Sequence, residues 1–86
     1  MTRTDALEAR LALVRAATDG VLDQLRCPTC SRRTVTVRFT NPRPSEFRTW
    51  FLCTSCAFRM RTQNDGKPLH FSIERLDPEL DAMDRG

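Results

Sequence analysis

Apolar residues near the start of the chain recur at helical steps. Leu7, Leu11, Val14, Val21 and Leu25 follow three- and four-residue spacing with Thr18 in the missing step, which predicts an amphipathic helix. Asp5, with Glu8 three residues on, has the form of a capping box, and Gly20 marks the helix end. The period then shortens to two. Val35, Val37 and Phe39 alternate with Thr36, Arg38 and Thr40 as in a half-buried strand. Asn41-Pro42-Arg43-Pro44-Ser45 interrupts it, and Phe47 to Leu52 resumes strand character. A third run starts at Phe58, and Gln63-Asn64-Asp65-Gly66 reads as a hairpin turn. Leu69, Phe71 and Ile73 beyond it predict a returning strand. Asp77-Pro78 can begin one helical turn, the alternative being a disordered tail. The pattern divides the chain into a helix over 1–25, a strand-rich module over 26–76 and an acidic tail over 77–86.

The cysteines give the middle segment its chemistry. Cys27-Pro28-Thr29-Cys30 and Cys53-Thr54-Ser55-Cys56 are separated by 22 residues, and the chain has no other cysteine. Two C-x-x-C pairs joined by a hairpin can aim four sulfurs at one tetrahedral Zn²⁺. A thioredoxin-like dithiol needs one pair in a βαβ setting, and iron–sulfur centres use other spacings. Zinc on Cys27, Cys30, Cys53 and Cys56 is the expected cofactor, one ion in a structural role. Four thiolates fill its coordination sphere, so no metal-activated water is expected.

Size supports a metal staple. An 86-residue chain buries a modest core, and structural zinc adds on the order of 10 kcal/mol of folding free energy. Paired disulfides are the competing staple and would call for an oxidising compartment. The sequence from Met1 to Asp5 has no signal-peptide character, and no apolar run approaches the roughly 20 residues that span a bilayer. A cytoplasmic setting with reduced, metal-bound thiols is expected.

Charge is uneven. The formal net charge is +3, but residues 1–25 carry −1, residues 26–67 carry +7 and residues 68–86 carry −3. Arg32, Arg33, Arg38, Arg43, Arg48, Arg59 and Arg61 make the central module a candidate for contact with phosphates or an acidic protein surface. The bland alternative is an arginine-rich composition, thirteen Arg to one Lys, whose cations partly offset the thiolates.

Cys27-Pro28-x-Cys30, a strand–loop–strand and Cys53-x-x-Cys56 together resemble the zinc-ribbon superfamily. Ser45 to Met60 is loosely similar to the second half of ribbons in transcript-cleavage and RNA polymerase-associated factors, with an aromatic strand before the second pair. The resemblance covers residues 26–61 and implies a small metal-bound α+β domain, an N-terminal amphipathic helix with a ribbon of three to four antiparallel strands. Two departures stand out. Ser31 and Ala57 occupy positions where such knuckles usually place a positive-φ glycine. Glu46 also stands alone at the hairpin tip, where transcript-cleavage ribbons carry adjacent acids for Mg²⁺, so that activity is not implied.

The remaining polar residues add no catalytic constellation. His70, the single histidine, falls on the polar face of the predicted last strand, where a surface role is expected. No nucleophile–base pair and no glycine-rich phosphate loop is present, so the chain is not expected to be an enzyme. Phe39, Phe51 and Phe71 read as core. Trp50 shares a strand face with Arg48 and Leu52, and is expected under the N-terminal helix rather than at an interaction surface. Leu7, Leu11, Val14 and Val21 could instead pair with a partner helix, making a homodimer or docking to a larger protein. The helical segment carries more acid than base, which disfavours a membrane. The expected function is binding of nucleic acid or a transcription-related protein through the basic ribbon; the alternative is a protein adaptor that uses its helix and binds no nucleic acid.

Overall fold

The computed structural model describes residues 3–85. Helix α1 spans Arg3–Thr18, and a three-stranded antiparallel sheet follows in the order β1-β2-β3, formed by Val35–Arg43, Glu46–Cys53 and Arg59–Asp65. A short 3₁₀ turn at Ile73–Arg75 leads into helix α2, Pro78–Arg85. The protein is a small α+β domain. Among the described residues no helix is long and apolar enough to cross a membrane.

The alternation read from β1 and β2 is the one that folds. Val37 pairs with Phe51 and Phe39 with Thr49, which puts the odd-numbered side chains of both strands on one inner face. Val35, Val37, Phe39 and Phe51 are buried there with Leu13 from α1, Leu25, Cys27 and Phe58. The Pro42 interruption is absorbed as a register irregularity between Thr40 and Arg43, where a proline costs no ladder bond. The Asn41 side-chain amide donates to the carbonyls of Arg43 and Glu46 and ties the two sides of the hairpin together.

Helix α1 departs from the expected pattern in two ways. It starts at Arg3, so Asp5 lies inside the first turn rather than at the cap; the side chain of Asp5 lies outside the described residues. It also turns a different stripe inward. Leu13 is buried with Val14, Ala16 and Ala17 packed beside it, whereas Leu7 is 59% exposed and Leu11 46%. Small alanines lie on this stripe, and a reading weighted towards large residues passes over them. Val21 lies beyond the helix end and is exposed too, because Gly20 takes a φ of +88° and ends the helical period.

The expected fourth strand does not form. Leu69 is 81% and Ile73 74% exposed, and only Phe71 turns inward, its ring 5.3 Å from Phe39 and 5.2 Å from Phe47. Gly66 and Pro68 carry the chain away from β3, and Pro68 has no N–H to give a ladder. His70 is therefore on a turn and not on a strand. Its Nε2 lies 3.0 Å from the Thr18 carbonyl, and in the Nε2–H tautomer it donates to the open C-terminal end of α1.

The free edge of β1 is covered by irregular backbone instead. Val35 exchanges two hydrogen bonds of 3.0 Å with Leu25, and the Val37 N–H donates to the Leu22 carbonyl at 2.8 Å. Farther along, the Phe39 carbonyl accepts from the Asp77 N–H at 3.0 Å, and the Asn41 N–H donates to Asp81 Oδ1 at 2.8 Å. Asp77 Oδ1 also caps α2, accepting from the Glu79 and Leu80 amides at 3.0 and 3.1 Å, so the tail forms a helix docked on β1 rather than a disordered end. An edge clothed in this way offers no template for another strand.

Arg75 fastens this cover. Its Nη1 donates to the carbonyls of Leu22 (3.3 Å) and Val37 (3.1 Å), and its guanidinium grips the Asp23 carboxylate. The hydrogen bonds from Arg75 and then from the Thr36 hydroxyl pull the Asp23 carboxyl down to about 2. A depressed carboxyl stabilises the fold above its ordinary pKa and loses that contribution as pH falls through the folded value, so nothing is lost between pH 7 and 5. Arg75→Ala is expected to cost about 1–2 kcal/mol, chiefly through the Val37 carbonyl left unpaired, since the Leu22 carbonyl keeps the Val37 N–H. Urea titrations of the variant and the parent at pH 7 and pH 5 should give the same difference; a difference that shrinks by half at pH 5 contradicts the assignment.

Candidate metal centre and basic sheet face

The two knuckles sit at one end of the sheet. Cys53 ends β2 and Cys27 follows Leu25, whose backbone is paired to Val35, so the β1–β2 hairpin brings both pairs together. The four sulfurs lie within 4.8 Å of one another, with Cys27–Cys56 at 3.6 Å and Cys30–Cys53 at 3.7 Å. A disulfide needs about 2.05 Å, which no such pair meets. A tetrahedron of about 2.3 Å zinc–sulfur bonds has edges of about 3.8 Å, close to both distances. Cys27, Cys30, Cys53 and Cys56 can therefore hold one metal ion.

The surroundings of the sulfurs suit thiolates. The amides of Thr29 and Cys30 approach Cys27 Sγ at 3.4 and 3.5 Å, and the Ser55 amide approaches Cys53 Sγ at 3.3 Å. Thr34 Oγ1 lies 3.1 Å from Cys53 Sγ, and this hydroxyl, helped by the Ser55 and Cys56 amides against desolvation, draws the Cys53 thiol down to about 6. Cys56 moves the other way. The Phe58 amide pulls it down, but burial and the three neighbouring sulfurs outweigh that and push it up to about 12. Four thiols this close resist joint ionisation unless a dication compensates them.

Local backbone shapes each knuckle. The Cys27 carbonyl accepts from the Ser31 N–H at 3.0 Å, and the Cys27 N–H donates to the Arg32 carbonyl at 2.8 Å. Ser31 takes the positive φ of +63° that the departure from glycine implied, whereas Ala57 does not. The second knuckle closes through the Cys53 N–H to the Phe58 carbonyl at 3.1 Å. Thr34 joins the two: its carbonyl accepts from the Thr54 N–H at 3.0 Å while its hydroxyl faces Cys53. Sequence reading missed Thr34, because no spacing rule singles out a threonine four residues after a C-x-x-C pair.

The seven candidate arginines do not all converge. Arg32 and Arg33 are exposed in the loop after the first knuckle, and Arg43 pairs with Glu46 at 3.4 Å on the β1–β2 turn. The other four share the outer face of the sheet. Arg38, Trp50 and Arg61 stand in one cross-strand row, with Leu52 beside Arg59 on one side and Thr40 beside Arg48 on the other. Trp50 is thus on the opposite face from Val37 and Phe51 and not under α1, which corrects the sequence expectation. A one-residue alternation decides the face, and the large apolar filler under α1 is supplied by Phe39 and Phe51 instead. The Trp50 indole N–H donates to Thr40 Oγ1 at 2.9 Å, and the Arg61 guanidinium lies 5.5 Å from the ring centroid.

No family model, curated protein or solved structure matches this chain. The cysteine cluster is compatible with a zinc ribbon, and the geometry of the site stands alone in support of it.

Proposed function

We propose that the protein is a small zinc-ribbon binding module in which one Zn²⁺ on Cys27, Cys30, Cys53 and Cys56 serves only the fold, and the outer face of the sheet contacts nucleic acid or the transcription machinery. The observation that carries this reading is the row Arg38–Trp50–Arg61 with Arg59 and Arg48 beside it. Cations interleaved with an aromatic on one flat surface suit a phosphate backbone. A metal sphere filled by four thiolates leaves no position for a reacting water, which supports binding rather than catalysis. Reduced thiolates of this kind fit a cytoplasmic setting.

Exposure of Leu7 and Leu11 on α1 favours a second reading, an adaptor or homodimer joined through that helix. One experiment separates the two. Anisotropy of labelled oligonucleotides at two salt concentrations is expected to show binding that weakens as salt rises, with a log–log slope of about −2 to −4 for three to four neutralised phosphates. Binding without a salt slope, or none at all, removes the nucleic-acid reading. Light-scattering mass of the parent and of Leu7→Glu/Leu11→Glu then reports the helix: a dimer that the double variant dissolves supports the adaptor.

A further inference from the structure

Resting on that reading, we infer that the outer sheet face takes single-stranded rather than duplex nucleic acid, with one base stacked on Trp50 and its flanking phosphates held by Arg38, Arg59 and Arg61. The shape of the surface is the first reason. A major groove admits a helix or a two-stranded ribbon, about 12 Å wide at most, and three strands lying side by side do not enter it. A splayed single strand can lie flat across such a sheet.

The indole is the second reason. Its N–H is committed to Thr40 Oγ1, which is itself fully buried, so the ring is pinned in place and offers its π-face rather than a donor. Arg61 already rests a planar cation against that ring. A base is a planar π-system that can occupy the same place, and the displaced guanidinium, on a solvent-exposed side chain, is then in reach of the adjoining phosphate. With the indole N–H occupied, readout by hydrogen bonds to base edges is absent at this position, and the stacking is tolerant of sequence.

Charge marks the two ends of the face. Glu46, held by Arg43, closes it at the β1–β2 turn, and Asp23, bound by the Thr36 hydroxyl and gripped by Arg75, marks it towards the metal end. The phosphates therefore follow the cross-strand row from Arg38 over Trp50 to Arg61, with Arg59 on the same face of β3.

Trp50 is the single tryptophan of the chain, so intrinsic fluorescence reports this position alone. The metal-loaded full chain is titrated with a short oligothymidylate, an oligouridylate, a duplex of equal length and polyglutamate. Both single strands are expected to quench Trp50 saturably and to bind at least tenfold more tightly than the duplex. By anisotropy, Trp50→Leu should weaken single-strand binding about tenfold or more and Trp50→Phe only a few-fold, since one base stacked on an aromatic is worth about 1–3 kcal/mol. Arg61→Ala, on an exposed side chain, should weaken binding while leaving the quench. Salt-dependent binding of duplex and single strand alike, with Trp50 unquenched, overturns this inference and leaves the proposed function intact. Quenching by polyglutamate as strong as by oligonucleotide overturns it in favour of an acidic peptide. Failure of every nucleic acid to bind removes both.

Discussion

Cys53→Ser is expected to abolish the cooperative thermal transition of the whole domain and to release the metal. Cys53 ends β2, and its sulfur touches Cys30, the Thr34 hydroxyl and the Ser55 amide, so its loss opens the coordination sphere and the clasp between the knuckles together. A serine hydroxyl is a poor ligand for a dication that selects thiolates. Zinc sites of this class contribute about 10–16 kcal/mol of apparent binding free energy, against a net stability of about 5–15 kcal/mol for a typical domain. Removal of a zinc ion held by these four sulfurs is therefore expected to unfold the sheet. A chelator added to the parent should produce the same collapse, read by far-ultraviolet circular dichroism, with one zinc released per chain by metal analysis. A variant that keeps both its zinc and its melting transition contradicts the assignment. So does a parent whose four thiols resist alkylation until a reductant is added.

Phe51→Ala should come next in size. Phe51 is 1% exposed at the centre of β2, facing Val37 across the ladder, and belongs to the one cluster that joins α1, the sheet and Cys27. Large-to-small changes at such positions cost about 3–5 kcal/mol, from lost transfer free energy plus the cavity left behind. That is a large share of the stability of an 86-residue domain. Urea titration in saturating zinc should show a lower midpoint with an unchanged slope, because the metal still holds the knuckles. Leu69→Ala provides the contrast. Alternation placed Leu69 in a returning strand, but its exposure predicts a change within about 0.5 kcal/mol. Equal losses at the two positions would contradict the described packing.

The same comparison shows where sequence reasoning works. Val35, Val37, Phe39 and Phe51 are legible because a strand with one buried face must alternate, and a slip of one residue would bury arginines. The cysteine cluster that can hold a metal ion is legible because C-x-x-C geometry is local. Leu69, Phe71 and Ile73 show the same period without forming a strand, since alternation states what a strand would look like and not whether a free edge awaits it. Phe71 alone is drawn in, by Phe39 and Phe47. On α1 the inward stripe, buried Leu13 with half-buried Val14, Ala16 and Ala17, is set by which face the tertiary fold turns to the core, an orientation that no helical wheel contains.

The amino-acid order by itself determined the four cysteines that can hold a metal ion, the first two strands, the turn that ends α1 and the concentration of arginine in the middle of the chain. Each rests on near neighbours: a knuckle, a two-residue period, a glycine with positive φ. Tertiary structure alone decided that Thr34 would clasp the knuckles, that Arg75 would reach back to Asp23, and that four of seven arginines would flank Trp50 on one face. Those contacts join residues far apart in the chain. Strand register and the packing of irregular backbone set them, and both are settled only when the whole sheet closes on its core.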